Sequence, residues 1–448
     1  MAELGSFALL LGLFLSSYAI LFDLLGVWRK DHAVSISARN ATIACLLCLT
    51  TAVIVLGIQL IGSDFNIRYV ADYTSRALPL AYKISALWAG ASGSLLFWLW
   101  LQVMFTVVVF CGLKKDGGEF AGSSRAILNL VCVFFMFILI KDKNPFALSA
   151  ITPPDGEGLN PLLQHPAMAL HPPLLFIGYA ACAIPFAWVF GYLKYRHESG
   201  EVPFLKSAQK WILWSWMFLT VGIVLGAWWA YEELGWGGYW AWDPVENSSL
   251  MPWLTATALL HCSRTYRRDS AIEKWFIGLA LVTFSLCVFG TFLTRYGLVS
   301  SIHAFPDPGL GILFLVLLVH IWVLAGILIF RKYKLHNRQN TAESAGADTR
   351  VNDGRKFVIW SNWLIVLLVF AVLVGTLFPF FSGLFTTEKI TLKPSYFTQI
   401  TAPLGLALLL LLSVCSYLFK YGFGKNWRTI AALAVAAAAS IAWLLIPN

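Results

Sequence analysis

The sequence predicts an all-α integral membrane protein, and three observations support that fold class. Hydrophobic residues fill 59% of the 448 positions. Charged residues fill only 12%, about half the share found in ordinary globular domains. Uncharged stretches recur along the chain, many of them close to the roughly 20 residues that an α-helix needs to cross a bilayer. A soluble globular protein is therefore excluded.

About twelve of these stretches are predicted to be transmembrane helices, and residues 1–448 are interpreted as a single polytopic membrane domain. The apolar run at the N-terminus has no basic residues before it and continues to Gly26, so it reads as a membrane helix and not as a cleaved signal. The shortest predicted span is 250–264. The spans are 6–27, 41–62, 94–112, 124–140, 172–193, 207–230, 250–264, 273–293, 309–330, 357–381, 399–419 and 428–446.

The distribution of basic residues predicts the orientation of these helices. Alternate loops, with the span ends beside them, contain 24 of the 32 Lys and Arg residues, and the intervening loops contain the other eight. Because cytoplasmic loops are enriched in Lys and Arg, the richer set is assigned to the cytoplasm, which places both termini outside. The net charge of +9 is thus explained by topology, and we expect no nucleic-acid partner.

Two connecting segments differ in composition from the rest. Residues 231–249, on the predicted outer side, are rich in tryptophan and glycine. Residues 336–356, on the predicted cytoplasmic side, are polar and nearly free of large apolar side chains, which predicts a flexible linker. The eight cysteines lie mostly within apolar spans and show neither a disulfide framework nor zinc-ligand spacing.

The stretch WWAYEELGWGGYWAWDPVENSSLMPW is the most unusual part of the chain. Gly237 and Gly238 permit backbone conformations and close approaches that side chains forbid. Trp236 and Trp240 would share one face of a helical turn. An aromatic belt at the membrane interface explains one or two tryptophans at a helix end. The cluster of Trp236, Trp240 and Trp242 contains more tryptophans than such a belt explains. It instead favours a stacking platform for a large planar ring such as haem.

The acidic residues at the end of this stretch predict the start of the next helix. Asp243 can act as the N-cap, the proline that follows it suits the first helical position, and Glu246 can reach back to form a capping box. Asn247 adds a further polar side chain at the same level. We interpret Asp243 and Glu246 as structural residues first, which could also orient the edge of a bound ring.

The tryptophan-rich stretch resembles the WWD motif of the haem-handling proteins of cytochrome c biogenesis. Four other stretches are similar, in order and spacing, to the CcmF-type haem lyases of that superfamily. The resemblance implies a thioether-forming cytochrome c haem lyase that attaches the haem vinyl groups to the thiols of C-x-x-C-H motifs. These stretches are YKISALWAGASGSLLFW (82–98), LNPLLQHPAMALHPPLLFIGY (159–179), FLTRYGLVSSIHAF (292–305) and TLFPFFSG (376–383).

The resemblance also implies the haem ligands. His171 and His303, which flank the WWD loop in the sequence, correspond to the axial ligands of the haem that is being delivered. Both lie just outside a predicted span with proline close behind. His261 corresponds to a ligand of a second, b-type haem within the membrane, and the alternative is a histidine at the headgroup level. His165 has no counterpart and is interpreted as a surface or structural residue.

Relatives of this kind continue beyond the last span seen here, so the resemblance predicts a short form whose missing C-terminal region comes from another subunit. It also implies three further classes of partner: a haem carrier, apocytochrome c, and subunits that handle the apocytochrome thiols. The predicted location is the bacterial inner membrane, with the active face toward the periplasm. The substrate cytochrome and the electron donor stay open.

Other functions remain open from the sequence. One is a transporter of haem or another amphiphile. Proton coupling would require acidic residues within the spans, and the predicted spans contain almost none apart from Asp23. A second is a scaffold that binds haem without ligating it. Within the lyase interpretation, an NrfE-type lyase dedicated to one cytochrome is the alternative.

Overall fold

The computed structural model contains only helices as regular secondary structure in the residues it describes, which are 1–111, 118–194, 205–265, 270–297, 299, 301, 307–339, 353–385 and 390–421. Short 3-10 helices occupy Ala86–Trp88 and Pro161–Leu163. The α-helices are α1 Ala2–Arg29, α2 His32–Gly62, α3 Arg68–Tyr73, α4 Leu80–Ser85, α5 Ala91–Cys111, α6 Gly118–Lys141, α7 Pro166–Lys194, α8 Leu205–Glu233, α9 Pro244–Thr265, α10 Ser270–Tyr296, α11 Pro308–Gln339, α12 Asp353–Phe385 and α13 Pro394–Tyr421.

Ten of the described helices are long and apolar enough to cross a membrane, so the chain is a multi-pass membrane protein. They correspond to ten of the twelve predicted spans. The predicted span 428–446 lies outside the described residues. The predicted span 250–264 is helical within α9, but α9 is not among the ten candidates.

The composition of α9 explains this difference. Its sequence includes several hydroxyl side chains and an internal Pro252. The hydroxyls of Ser249, Thr257 and Thr265 donate to backbone carbonyls three or four residues earlier, a local bond that satisfies each polar group inside the helix. The helix therefore forms although its apolar content is low.

The chain divides into two compact units. The first comprises Met1–Trp240 and Leu317–Leu335. The second comprises Ala241–Val316 and His336–Asn448. In the second unit α9 packs against α10 and α12, and α12 packs against α13.

In the first unit α1 packs against α2 and α6, and α7 packs against α8. A buried ion pair joins three of these helices, because the Arg125 guanidinium of α6 donates to both carboxylate oxygens of Asp23 in α1 and to the Ser35 carbonyl of α2. Asp23 is 0% exposed and Arg125 is 3% exposed. Asp23, which the sequence places close to the cytoplasmic end of the first predicted span, is thus paired with a basic partner.

Two connecting segments of the first unit fold onto each other. Ile67 and Leu148 form an isolated antiparallel bridge. The Tyr82 hydroxyl donates to the Gln164 carbonyl at 2.8 Å. Asp155 Oδ1 accepts from the backbone N–H of Arg76 at 2.9 Å. The residues between α2 and α5 are therefore tied to those between α6 and α7.

Two predicted segments overlap helices in the structure. Helix α11 continues to Gln339 and α12 begins at Asp353, so both ends of the predicted linker 336–356 are helical, and residues 340–352 lie outside the described part of the chain. The segment between α8 and α9 is 234–243, shorter than the predicted loop 231–249. Polar helix ends extend past the apolar runs because capping and backbone hydrogen bonds, and not hydropathy, end a helix.

Candidate functional site

Residues 234–243 form an irregular turn between α8 and α9. The expectation that Trp236 and Trp240 share a helical face is wrong, because no helix includes them. Gly235 and Gly237 have φ of 65° and 72°, a backbone region that favours glycine, and this ends the helical path of the chain. A Cβ placed on Gly237 or Gly238 would meet no described atom within 4 Å. Both glycines therefore leave open space beside the backbone.

In the first unit, Trp236 packs against the end of α8 and the start of α7. Its neighbours belong to a small apolar cluster built on Ala167, Trp229 and Ala230. The Trp229 indole N–H donates to the Leu162 carbonyl at 2.8 Å, which fixes this cluster to the segment before α7. Trp236 is thus part of the packing between the end of α8 and the start of α7.

His165 fixes the same two helices through polar contacts. Its Nδ1 accepts from the backbone N–H of Ala167 at 3.2 Å, and its Nε2 lies 2.7 Å from Glu232 Oε2. The other carboxylate oxygen of Glu232 accepts from the Trp228 indole N–H at 2.6 Å. His165 is 8% exposed, so it is a buried structural residue and not a surface one.

His171 lies inside α7, which begins at Pro166, and not ahead of the helix as the sequence suggested. Pro166 takes the first position of α7, where the N–H has no intrahelical partner, and Pro172 and Pro173 lie inside the helix. His171 Nδ1 lies 2.7 Å from the Gly222 carbonyl of α8, so Nδ1–H is the donor of this bond. An imidazole held in this way carries its lone pair on Nε2, the arrangement of many metal-ligating histidines.

In the second unit, the predicted capping box is present at the start of α9. Asp243 Oδ1 accepts from the Val245 N–H at 2.9 Å. Glu246 Oε2 accepts from the N–H groups of Asp243 at 3.1 Å and Ala241 at 3.0 Å. Asp243 Oδ1 also accepts from the Ser301 hydroxyl at 2.7 Å, which ties the cap to the segment after α10.

Trp242 is held in an unusual backbone conformation. Its φ of 59° lies in the left-handed region, which costs a non-glycine residue about 1–2 kcal/mol. Its ring stacks on Phe397 with centroids 5.3 Å apart and planes 11° from parallel. Its indole N–H donates to Thr398 Oγ1 at 3.2 Å. Helix α13 therefore supports Trp242, a contact that no local pattern in the sequence indicates.

Asn247 secures the same residue from the other side. It is fully buried, and its Nδ2 donates to the Trp242 carbonyl at 3.1 Å and to Thr376 Oγ1 of α12 at 3.0 Å. The four residues Trp242, Asp243, Glu246 and Asn247 thus form one hydrogen-bonded group. Asn247 Oδ1 has no hydrogen-bond partner within the described part of the chain.

Of the two remaining predicted haem ligands, His303 and His261, the structure describes only His261. His303 lies outside the described residues. His261 is half-buried near the end of α9, and the neighbouring Cys262 thiol accepts from Asn362 Nδ2 of α12 at 3.0 Å. Among the described residues no group of three His, Cys, Asp or Glu side chains converges as a metal site.

The predicted site residues fall in two groups. His171, Trp236, Gly237, Gly238 and Trp240 belong to the first unit, and Trp242, Asp243, Glu246, Asn247 and His261 belong to the second. Sequence reasoning missed the residues that hold these groups in place. Gly222 and Gly226 carried a signal, because glycines four residues apart share one face of a helix. Thr376 lies inside α12 and carried none. The supporting residues that were missed are Gly222, Gly226, Ser301, Thr376, Phe397 and Thr398.

Comparison with known proteins agrees with the sequence motifs. A family model described as cytochrome c assembly protein matches residues 88–299. The cytochrome c-type biogenesis protein NrfE of Haemophilus influenzae is 34% identical over 100% of this chain and 68% of its own length. CcmF of Escherichia coli is 35% identical over 92% of this chain and 63% of its own length. CycK of Rhizobium meliloti is 34% identical over 93% of this chain and 60% of its own length.

A solved structure gives the same result for the fold. The structure entitled Cytochrome c Heme Lyase CcmF matches 100% of this chain and 67% of its own chain, with a TM-score of 0.77 and 28% sequence identity. The chain thus spans between 60% and 68% of the length of these relatives. It belongs to the CcmF/NrfE/CycK family of cytochrome c-type biogenesis proteins.

Proposed function

We propose that the chain is a subunit of a cytochrome c haem lyase, which holds haem for covalent attachment to apocytochrome c. The observation that carries this proposal is the likeness to the cytochrome c haem lyase CcmF along the whole length of the chain. The motifs agree with it, because the WWD stretch and both flanking histidines occur in the expected order.

The proposed reaction adds two cysteine thiols across the two vinyl groups of haem. In each addition a sulfur–carbon bond forms at one vinyl carbon and the thiol proton is transferred to the other carbon, so no net oxidation occurs. Haem supplies the reactive vinyl groups, and the protein supplies position and orientation. This division of roles requires no separate nucleophile or catalytic acid pair, and we assign no catalytic residue distinct from the haem-binding ones.

The chemistry of the donor set fits an axial haem ligand at His171. Its Nδ1–H donates to the Gly222 carbonyl, so Nε2 carries the lone pair, and we propose Nε2 as the nitrogen that ligates iron. We propose that His171 and His303 together hold the haem iron. The histidine of the C-x-x-C-H motif would then displace one of them, which would bring the thiols near the vinyl groups.

We propose that the tryptophan-rich segment forms the surface on which the ring rests. Trp236 and Trp240 are rigid and amphipathic, and Gly237 and Gly238 leave open space beside the backbone. Trp242, Asp243, Glu246 and Asn247 bind one another and α9, α12 or α13, so their first role is to hold this segment in shape. Contact with the edge of the ring is a further role.

We propose that His261 would hold a second, b-type haem, which would supply one-electron redox chemistry at that site. Helix α9 supplies one proposed ligand, His261, so another residue or subunit must complete that site. We also propose a haem carrier, apocytochrome c, thiol-handling subunits and a subunit that supplies the missing C-terminal region as partners. The proposed location is the bacterial inner membrane, with the site on the periplasmic face.

The decisive experiment is reconstitution of thioether formation. The chain, purified with its partner subunits, is incubated with ferrous haem and a C-x-x-C-H peptide, and covalent haem peptide is measured by mass spectrometry. We expect product with the wild type and loss of product with His171→Ala or His303→Ala. The variant His165→Asn is a matched control, since it changes a histidine of the same region that we do not assign to the iron.

The other functions predict different results in this assay or in a haem-transport assay. A scaffold would retain haem without forming product. A haem transporter would move haem across vesicles made from the purified chain and form no product. An NrfE-type lyase would form product with the motif of one cytochrome only. Product that is independent of both histidines would overturn the assignment of the site.

A further inference from the structure

The imidazole of His171 occupies a gap that glycine creates in α8. A Cβ placed on Gly226 would lie 2.6 Å from His171 Cε1, 2.7 Å from Nδ1 and 3.3 Å from Nε2. Because Cβ atoms essentially never come within 3.0 Å of such neighbours, any larger residue at position 226 would displace the ring. The imidazole therefore lies directly against the backbone of α8.

A second glycine of α8, Gly222, accepts the hydrogen bond that sets the tautomer of His171. Gly222 lies one helical turn before Gly226, and its carbonyl accepts from His171 Nδ1–H at 2.7 Å. The close helix approach that this bond needs is provided by Gly222 itself, whose added Cβ would meet Leu175 Cδ2 of α7 at 2.8 Å. Gly222 thus brings the helices together, and Gly226 makes room for the ring.

We propose that Gly226 and the Gly222 carbonyl are positioning groups for His171, which hold its ring and its tautomer so that Nε2 is the nitrogen offered to the haem iron. This inference rests on the proposed role of His171 as an axial ligand. It assigns a specific task to two residues of α8 that lie outside the tryptophan-rich segment. Outer partners of this kind fix the orientation and raise the basicity of a metal-bound histidine.

The helix pair provides a control for ordinary packing. Leu219 of α8 packs against Gly178 of α7. A Cβ added to Gly178 would meet Leu219 Cδ2 and Cγ at 2.8 Å. Gly178→Ala and Gly226→Ala therefore introduce the same methyl group into the same helix pair at a similar clash distance. Only Gly226→Ala meets the imidazole.

In the experiment, the full chain in detergent is titrated with ferrous haem. Binding is measured from the low-spin absorption bands of the haem. We expect Gly226→Ala to weaken haem binding by about 10- to 100-fold, the usual cost of disturbing an outer partner of a metal ligand. We expect Gly178→Ala to leave haem affinity close to that of the wild type, because its added methyl group meets Leu219 and not the imidazole. Thermal midpoints of all variants are measured in parallel.

A double-variant cycle separates positioning from folding. In a His171→Ala background the ring is absent, so Gly226→Ala should change neither haem binding nor the thermal midpoint. If Gly226→Ala alone is too unstable to titrate, recovery of its thermal midpoint in the double variant supports the same conclusion. Persistent instability, or equal loss of haem in Gly178→Ala and Gly226→Ala, overturns the positioning role. Haem binding that does not depend on His171 overturns the ligand assignment in the proposed function as well.

Discussion

Glu246 holds the turn before α9 by accepting two backbone N–H groups on one carboxylate oxygen. These donors belong to Ala241 and Asp243, which flank Trp242. The carboxylate therefore stabilises the strained backbone of that tryptophan and the helix start together. A carboxylate near a helix N-terminus also interacts favourably with the helix dipole.

We predict that Glu246→Ala destabilises this turn by about 1–3 kcal/mol, because two half-buried N–H donors lose their acceptor. The measurement is the thermal midpoint in detergent, which is read from the reaction of buried cysteines with a maleimide dye as the protein unfolds. Glu246→Gln keeps an acceptor oxygen and should recover most of the loss. Identical midpoints for the wild type and both variants would show that the cap does not stabilise the turn.

A second carboxylate acts at the residue scale, and it responds to pH. The backbone N–H groups of Arg76 and Gly156 both donate to Asp155, and these bonds hold the pKa of its carboxyl below the usual 3.8. A lowered folded pKa means that the stabilisation is present above the unfolded pKa. It is lost as the pH falls through the lower folded value.

We therefore predict that Asp155→Asn increases deuterium uptake by the peptide containing Arg76 at pH 7, relative to the wild type at the same pH. The difference should shrink as the pH is lowered below 3.8, because the wild-type carboxyl also becomes protonated. Asp142→Asn, a change to another exposed acid in the same connecting segment, is the control. A difference that stays constant with pH would contradict the proposed link.

At the scale of helices, the ion pair between Asp23 and Arg125 joins α1, α2 and α6 within the first unit. Desolvation of two charges offsets most of their attraction, so such a pair contributes little net stability. Removing one partner has a larger effect, since an uncompensated charge is left among apolar helices. The pair also argues against proton transport through Asp23, because the carboxylate is committed to a structural contact.

We predict that Asp23→Asn lowers stability by about 3–5 kcal/mol, whereas Asp23→Leu combined with Arg125→Leu recovers most of that loss. The measurement is the yield of folded protein and its thermal midpoint in detergent. Lys143→Leu, which changes a charge in a solvent-exposed pair, should have a small effect. An Asp23→Asn variant as stable as the wild type would show that Arg125 finds another partner.

For the whole molecule, the alternation of basic loops predicts which side of the membrane each connecting segment faces. Ile151 is 86% exposed in a segment assigned to the outside, and His32 is exposed at the start of α2, assigned to the cytoplasm. The assigned orientation therefore predicts that the two positions lie on opposite sides of the membrane.

We predict that a membrane-impermeant maleimide labels Ile151→Cys in spheroplasts and labels His32→Cys only after the membrane is opened. The wild type, with its native cysteines, gives the background. The reason for the expected result is the retention of Lys and Arg on the cytoplasmic side during insertion. Labelling of both positions from outside, or of His32→Cys alone, would reverse or invalidate the assigned orientation.

Much of the architecture was predictable because its causes lie in neighbouring residues. Hydropathy over about 20 residues predicts a span, and ten of the predicted spans are helices of suitable length and composition. The capping box at Asp243 and Glu246 was predictable for the same reason, since its hydrogen bonds connect residues at most five apart.

The supports of the candidate site were not predictable, because they depend on which helix faces meet. His171 is bonded to a carbonyl 51 residues away, and Trp242 donates to a hydroxyl 156 residues away. Phe397 and Gly226 are ordinary membrane-helix residues until the tertiary structure places them against a tryptophan and an imidazole. The sequence by itself determined the helices, their caps and the residue types available for binding haem. Only helix packing decided how those residues are held, since a side-chain contact between distant segments has no local sequence pattern.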